Sequence, residues 1–552
     1  MEDDKKTVEM VLSHFNSMKE ERNPWETTVE NVMKLVVPGR SSMEVTTEAR
    51  GYEVDAESMD STALSSANLF ANGILGNVCS EKSPWFRLIP ELPQHEEVRG
   101  MREWLDSVQS VFYHILSTGG FYSGARQVFF DAATPGLGTM MMREDMDEQT
   151  IRFEPYAPKG VYIATNAHNR VDTLFHYFTR TARGILEEYG EEKLSKEFLN
   201  NAKVKPFRRY KIVNAIFPRD DRELYKLDAV NKPFASIHVL EGQKALLKNS
   251  GYDSFPLSLF RYEYDSEEVY PHSPSIDGAA DIRRLNRISK ATTNLAELIA
   301  YPPMAVPSEM YNDFELVPKF KTKMFDANRL PTLMNVTGQG YPIARDREEL
   351  YRQNVKDHYF ANMFLSLQTP EGPNMTATEV LERQGEKASV IGGMLARLMS
   401  EFLDPIFDRM FIVGVRNRWI PRPPDEVIAR KINLKLDYTG PLAQAQQRYL
   451  RLQGPVTALQ NFVPLLEAYP EMRDIIKPYE VGKMILVEGG MPSKVLLEQD
   501  EYQAKMDKQA AQAQQMQEAE AAKTQAEAMN KGSKAPEQGS PTEALMQQAQ
   551  GG

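Results

Sequence analysis

The amino-acid sequence predicts a mixed α+β protein that is mainly α-helical. Apolar residues recur at helical spacing over several long segments, and the pattern changes to short β-type runs between Met140 and Leu259. Pro and Gly separate these segments. A chain of 552 residues exceeds what one hydrophobic core usually supports, so two or more structural regions are expected.

The composition excludes several classes of protein. Hydrophobic residues make up 41% of the chain, which is too many for a wholly disordered protein. No run approaches the roughly 18 to 20 apolar residues of a membrane span, and the charged N-terminal residues are not a secretion signal. A lone cysteine, Cys79, excludes an intrachain disulfide. We therefore expect synthesis in the cytoplasm of a cell. A net charge of -12 argues against a surface that grips nucleic acid throughout.

The N-terminal segment is predicted to be helical. A first helix is expected from Thr7 to Met33 and is interrupted at Asn23-Pro24, because proline lacks the amide donor of a helix interior. Further helices are expected from Ser58 to Leu75 and from about His95 to Thr118, the second closed by Gly119-Gly120.

The interval after Met140 is predicted to hold strands, with a helix from Ala182 to Tyr189 between them. The expected strands are rich in β-branched and aromatic residues and include Ile151–Pro155, Val161–Ala164, Thr173–Thr179 and Ala235–Leu240.

Two amphipathic helices around a Pro-rich insertion are the most informative part of the sequence. Ser273-Pro274-Ser275 supplies start signals for the first helix, which ends before Tyr301-Pro302-Pro303. The second starts near Arg345 and reaches about Leu367. About 40 β-leaning residues lie between them. The pattern therefore predicts two helices that flank a small tip.

A third, longer helix is predicted to begin at Thr376. Thr376 and Glu379 have the spacing of a capping box, in which each side chain binds an amide at the helix start. An apolar stripe then continues to Met410, and Pro405 predicts a kink.

The C-terminal part of the chain is predicted to change character. Two short helices are expected at about Leu442 to Leu452 and Val456 to Leu466. From Gln499 onward the sequence is rich in Gln, Ala, Glu and Lys, and then in Gly, Ser and Pro. Such a composition predicts a frayed helix followed by disorder.

The sequence contains no recognisable catalytic pattern. Its eight histidines lack the spacing of zinc hydrolases. The nearest approach to a magnesium site is Asp220-Asp221-Arg222-Glu223, which could bind Mg²⁺ and activate water, but a solvated turn after Pro218 is the favoured interpretation. We predict no catalytic residue, no metal site and no cofactor.

Two groups of cations stand out in the helix, tip and helix segment. Arg283, Arg284, Arg287 and Lys290 cluster on the first helix and either face phosphate, if the helix lines a channel, or form ion pairs with a neighbouring helix. The alternation of Lys319, Lys321 and Lys323 predicts that they project from one face of a strand in the tip. There they bind a partner or merely protect a solvated edge.

The residues also resemble a known family, the head-to-tail connecting (portal) proteins of short-tailed bacteriophages. The resemblance extends from about Arg22 to Leu497, and it is strongest at Met375-Thr-Ala-Thr-Glu-Val380 with the Arg, Glu, Gly and Pro residues that follow as far as Pro405. The other matching segments are Leu69-Phe-Ala-Asn-Gly73, Pro84-Trp-Phe-Arg-Leu88, Ile276–Asn286, Tyr438–Gln446 and Tyr469-Pro-Glu471.

The resemblance implies the portal fold, in which wing, stem, clip and crown regions build a dodecameric ring around a central channel. It assigns residues 1–272 to the wing, 273–301 to stem helix 1, 302–343 to the clip, 344–368 to stem helix 2, 369–440 to a channel loop, the long kinked helix and a return to the wing, 441–498 to the crown and 499–552 to a flexible tail.

The same resemblance implies a function and partners. The ring sits at a capsid vertex of the virion, conducts double-stranded DNA during packaging and ejection, and contacts the major capsid and scaffolding proteins. The terminase large subunit docks on the clip and a tail adaptor replaces it, with Lys319, Lys321 and Lys323 as candidate docking residues. Glu371 and Asn374, in a loop expected to project toward the DNA, join the four helix cations as channel candidates. The alternative is a Mg²⁺-dependent phage nuclease or terminase-like enzyme.

Overall fold

The chain divides into two compact units, Met1–Gln447 and Arg448–Gly552. The computed structural model describes residues 2–48, 58–92, 100–223, 225–226, 228–302, 304–306, 332–333, 340–368, 391–430 and 432–440, and the single residues 479, 482, 502 and 505. The helices and strands below all belong to the first unit.

Helices dominate both ends of the described chain. They are α1 (Glu2–Val36), α2 (Thr62–Val78), α3 (Met101–Thr118), α4 (Phe121–Ala133), α5 (Ala182–Tyr189), α6 (Lys196–Val204), α7 (Pro274–Asp277), α8 (Ala279–Ala300), α9 (Tyr341–His358), α10 (Ala361–Gln368), α11 (Gly392–Arg397), α12 (Asp404–Arg416) and α13 (Asp425–Arg430). A π-helical turn, Leu398–Leu403, joins α11 to α12.

The strands fall mainly between α4 and α7. They are β1 (Phe86–Pro90), β2 (Leu137–Asp145), β3 (Thr150–Tyr156), β4 (Val161–Thr165), β5 (Val171–Thr181), β6 (Arg209–Pro218), β7 (Phe234–Leu240), β8 (Ala245–Tyr252), β9 (Leu257–Arg261), β10 (Met304–Ala305), β11 (Thr332–Leu333) and β12 (Leu434–Tyr438). The predicted mixed α+β class is confirmed.

All of these strands pair antiparallel. β4 to β8 form a five-stranded sheet in sequence order, with α5 and α6 in the connection between β5 and β6. β2 lies between β3 and β9 in a second sheet. β1 pairs with β12, with Phe86 opposite Tyr438, so the chain near residue 438 returns to the strand that follows α2.

The predicted interruption at Asn23-Pro24 is wrong, because α1 runs through Pro24 without a break. Contacts on both sides of the proline explain its tolerance. The buried Arg22 guanidinium donates to the Val161 carbonyl at 2.5 Å, and the Trp25 indole donates to the Pro271 carbonyl at 2.7 Å. These tertiary hydrogen bonds outweigh the loss of one helical hydrogen bond.

Three other helices begin or end at residues that differ from those predicted from the sequence. α2 continues past Gly76 to Val78, and α3 begins at Met101, after Gly100 in a left-handed conformation. The second helix of the helix, tip and helix segment starts at Tyr341, earlier than predicted. It also breaks after His358, where Phe360 has a φ of 53°. The spacing of apolar residues does not predict such local backbone conformations.

The largest core is aromatic and joins early and late parts of the chain. Trp85 is fully buried, its ring stacks 6.1 Å from that of Phe121, and its neighbour Phe86 lies 4.5 Å from Phe407 on α12. Burying one large apolar side chain contributes about 1.5–3 kcal/mol. A separate core places Phe15 of α1 against Tyr162 of the five-stranded sheet, at 5.0 Å between ring centroids.

Buried arginines fix the late helices to the sheet of β2, β3 and β9. Arg261 at the end of β9 donates through Nε to Glu401 at 3.1 Å. Arg409 on α12 is 2% exposed and donates to Glu144 at 3.1 Å and to the Met142 carbonyl at 3.2 Å. A buried guanidinium is tolerated only when such partners replace water. The two pairs therefore restrict how α11 and α12 can lie on the sheet.

The π-helical turn immediately precedes Asp404-Pro405. Pro405 has no amide hydrogen, so the helix cannot close its normal hydrogen bond to Glu401. Ser258, a buried residue of β9, donates its hydroxyl to the Phe402 carbonyl at 2.5 Å. The sheet thus supplies a donor to this irregular turn.

Arg409→Met should reduce the free energy of unfolding by about 3 kcal/mol, because it keeps the side-chain length but removes the donor to one Glu144 oxygen and to the Met142 and Ser254 carbonyls, and leaves Glu144 paired with Arg416 alone. The matched control is Arg183→Met, which removes an ion pair to Glu187 in which both side chains are more than 60% exposed, and which should cost less than about 1 kcal/mol. The measurement is the urea midpoint of each variant. Equal losses would show that the buried pair adds nothing.

Acid should destabilise the five-stranded sheet through His238. Burial lowers the pKa of His238 from 6.5 to about 3, and the Tyr189 hydroxyl lies 2.9 Å from its Nδ1. The unfolded chain binds that proton more tightly, so stability falls as the pH drops from about 6.5 toward 3. Below about pH 6.5, the free energy of unfolding of the wild type should therefore fall by about 1.4 kcal/mol more per pH unit than that of His238→Phe.

The check on His238 is the apparent unfolding temperature of wild type and His238→Phe between about pH 7.5 and pH 4. Asp131 acts in the opposite direction, since burial raises the pKa of its carboxyl to about 6. Only the difference between the two proteins therefore isolates the imidazole. Parallel curves over the whole range would contradict the prediction.

Candidate functional site

The antiparallel pair of α8 and α9 is the most distinctive feature of the structure for function. Strands β10 and β11 pair at its far end, with Met304 opposite Leu333. Residues 307–331, between the two strands, lie outside the described residues. The structure therefore places two long helices on either side of an insertion.

A polar contact joins the buried faces of the two helices. Ser289 on α8 donates its hydroxyl to the Glu348 carboxylate on α9 at 2.8 Å, and both side chains are buried. Arg352, one turn farther along α9, also donates to Glu348. A buried carboxylate needs such donors, and they fix how far one helix can slide along the other.

The same network attaches the pair to the segment before α2. Arg352 donates through Nε to Asp60 at 3.0 Å, and the Asn286 amide oxygen accepts from the Met59 backbone N–H at 2.8 Å. Sequence reasoning missed Asp60, Asn286 and Arg352, as well as Ser289 and Glu348. For Asn286, Ser289 and Glu348 the signal was a polar residue on a buried helix face, whereas Asp60 precedes α2 and gave no such signal.

The base of the pair is held by a second group of contacts. His358 at the end of α9 lies 3.3 Å from the Asp281 carboxylate on α8. The Tyr359 hydroxyl lies 2.6 Å from the Ser275 hydroxyl, and burial raises the pKa of Tyr359. Ser273 caps α7 by accepting from the Ile276 amide at 3.1 Å. These contacts set the direction in which α8 leaves the body.

All four predicted cations of α8 are exposed. Arg284 pairs at 3.2 Å with Asp281 of its own helix rather than with a neighbouring helix. Arg283, Arg287 and Lys290 lie on one face, which we call the cationic stripe, and none of them has an ion pair within the described residues. The stripe is opposite the buried positions Leu285 and Thr292.

Several other candidate residues lie outside the described part of the chain. These are Lys319, Lys321 and Lys323 of the insertion, and Glu371, Asn374, Thr376 and Glu379 before α11. Pro405 is described and occupies the first turn of α12, directly after the π-helical turn.

The segment considered for a magnesium site is an exposed loop. Glu223 pairs with Lys226 at 2.8 Å, and its amide donates to the Asn231 side chain at 2.9 Å. Over the described ranges, the group of side chains spaced to share a cation is a different one, Asp265, Glu268 and His272, whose ligand atoms lie within 4.8 Å. Asp265 and Glu268 are exposed.

The single cysteine, Cys79, is buried. Burial raises the pKa of its thiol, which makes it a poor nucleophile.

Segments that carried the family resemblance contact distant parts of the chain. A Cβ on Gly73 would come within 2.4 Å of the Phe364 ring, so only glycine lets α2 approach α10 this closely. Arg87 on β1 pairs with Asp437 on β12 at 2.7 Å. Arg397 on α11 lies 3.7 Å from Glu263. The shared residues thus join distant parts of the chain.

No described helix combines the length and apolar character needed to cross a bilayer. Comparison with known proteins identifies two phage proteins that are similar to this chain over most of its length. The portal protein of Salmonella phage epsilon15 is 25% identical over 523 residues, which cover 92% of each chain. The probable portal protein of Bordetella phage BPP-1 is 25% identical over 446 residues, covering 79% of this chain and 80% of that protein.

The family described as bacteriophage head to tail connecting protein matches residues 8–496. This range contains both members of the helical pair, the two sheets and every segment on which the resemblance was based. It confirms the family expected from the sequence and implies a component of the virion. The chain therefore belongs to the bacteriophage head-to-tail connecting protein family.

Proposed function

We propose that this chain is a portal protein that forms a dodecameric ring at one capsid vertex. The ring is the conduit for double-stranded DNA during genome packaging and ejection. It docks the terminase large subunit during packaging and a tail adaptor afterward, and it contacts the capsid and scaffolding proteins. Family membership and the names of the two phage relatives support this proposal.

The observation that carries the proposal is the helical pair with its charged, uncovered outer side. The buried faces of α8 and α9 are satisfied by Ser289, Glu348 and Arg352. The cationic stripe instead has no partner among the described residues of one chain. A long helix with exposed, unpaired cations is suited to contact another copy of the chain or DNA.

The proposed portal regions keep the bounds that the family resemblance implies. We assign residues 1–272 to the wing, 273–301 and 344–368 to the stem, 302–343 to the clip, 369–440 to the channel loop, long helix and return to the wing, and 441–498 to the crown. Glu371 and Asn374 are proposed to lie at the channel, as is Arg284 on the flank of the stripe. The chain acts as a structural conduit, not as an enzyme, and without a cofactor.

Purified full-length protein should form rings with a central hole in negative-stain images. Twelve copies of a 62.8 kDa chain give about 754 kDa, which mass photometry can resolve from neighbouring ring sizes. Monomer alone at every concentration would contradict the proposal. Mg²⁺-dependent cleavage of DNA by that monomer would support the nuclease alternative.

Changing Lys319, Lys321 and Lys323 together to Glu should slow the binding of motor or adaptor to preformed rings by roughly ten-fold or more at low salt. The physical reason is that rim charges steer association and are screened by salt. The measurement is the association rate over a salt series.

The matched control for the clip lysines is Lys193, Lys196 and Lys203 changed to Glu, since these exposed lysines lie on or beside α6 and the change in charge is the same. Rings of both variants should assemble. If the clip variant binds as wild type does at every ionic strength, the three lysines only solvate an edge.

A further inference from the structure

The outer side of α9 carries a row of acidic residues. Asp346 and Asp357 are exposed on the side opposite the buried Glu348 and Val355, and the exposed Glu349 lies on the flank of that side. We call these three residues the acidic row. Its members make only local contacts in one chain, such as Glu349 with Arg352 at 3.7 Å. The row therefore remains open to solvent.

The cationic stripe of α8 and the acidic row of α9 lie at the same height along the helical pair. Two cross-helix contacts set the register, Ser289 beside Glu348 and Asp281 beside His358. Since the helices are antiparallel, the stripe from Arg283 to Lys290 falls between the heights of Asp357 and Asp346. Opposite charges thus occupy matching levels.

The two charged faces cannot neutralise each other within one chain. Ser289 and Glu348 are buried where the helices meet, whereas the stripe and the row lie on the far sides of their helices. The pair therefore has a cationic outer side on α8 and, on α9, an outer side whose three carboxylates lie beside the half-buried Lys356. Arg345 and Arg347 flank Asp346 and limit the negative charge near the tip.

Apolar residues beside the charged faces indicate that protein covers them. Ile343 and Leu350 lie one beside the other along α9 next to Asp346 and are 66% and 48% exposed. Leu298, near the tip end of α8, is 42% exposed. A nucleic-acid backbone offers phosphate charge but no apolar surface to cover such side chains, so a protein surface is the better occupant.

We propose that the cationic stripe of one copy pairs with the acidic row of the next copy in the ring. This inference rests on the proposed function and names the partner of the exposed stem faces. If the ring axis runs along the helices, the rotation that relates one copy to the next does not move a residue along that axis. Residues of α8 and α9 at the same height in one chain are therefore also at the same height in adjacent copies. The contact is head-to-tail, with α8 of each copy against α9 of its neighbour.

A charge-swap experiment tests the pairing. One variant carries Arg287→Glu and Lys290→Glu, a second carries Asp346→Lys and Glu349→Lys, and a third combines all four changes. Each two-residue variant should raise the protein concentration needed for rings by roughly ten-fold or more, because like charges then face each other. The combined variant should recover ring formation, since each pair is restored with reversed sign.

Ring formation is measured by mass photometry over a concentration and salt series. Circular dichroism and the unfolding temperature show that each variant folds. The control is Lys196→Glu with Lys203→Glu on α6, which changes the net charge as the α8 variant does and should leave ring formation as in wild type.

Three results would overturn the pairing while leaving the conduit intact. They are normal rings from the α8 variant, normal rings from the α9 variant, and a combined variant no better than either alone. In the first case the stripe faces the channel, and DNA packaging rather than ring formation should suffer. Failure of wild type itself to form rings would instead overturn the proposed function and, with it, this inference.

Discussion

The structure depends on two buried arginine–glutamate pairs that hold the late helices on an early sheet. Arg261 with Glu401 and Arg409 with Glu144 are separated by more than a hundred residues in sequence. Because an unpaired buried guanidinium is costly, α11 and α12 have one favourable position on β2 and β9. The aromatic packing of Phe407 against Phe86 then follows from that position.

This fixed body determines how the helical pair can function. The chain leaves the body at Ser273 and returns through Tyr359, and both ends are tied by hydrogen bonds to α4 or to each other. The pair is thus rigidly attached at its base and bound together at its centre by Glu348. Polar contacts satisfy its interior, while the outer side of α8 carries exposed cations and that of α9 carries exposed carboxylates beside cations of the same helix. A rigid helical pair with two different outer sides is suited to a closed ring of identical copies, because each copy then places one side against the other side of its neighbour.

The sequence predicted those elements that local pattern determines. The strand region, the exposed cations of α8 and the helices beside the insertion all follow from periodicity and turn residues. Pro24 was misjudged because tertiary contacts of Arg22 and Trp25 override the local penalty of proline. The Glu348 network was missed because the positions of Asp60 and Ser289 relative to α9 depend on long-range packing. Periodicity on α9 reveals its acidic row, but only the cross-helix register reveals that the row matches the cations of α8.

The most direct test is a cryo-electron microscopy reconstruction of the purified full-length ring, with the side chains of α8 and α9 resolved. The account predicts that Arg287 and Lys290 of each copy lie within ion-pair distance of Glu349 and Asp346 of the next copy, around a central channel. A ring in which these cations point into the channel would contradict the pairing. A reconstruction without a channel along the axis would contradict the conduit itself.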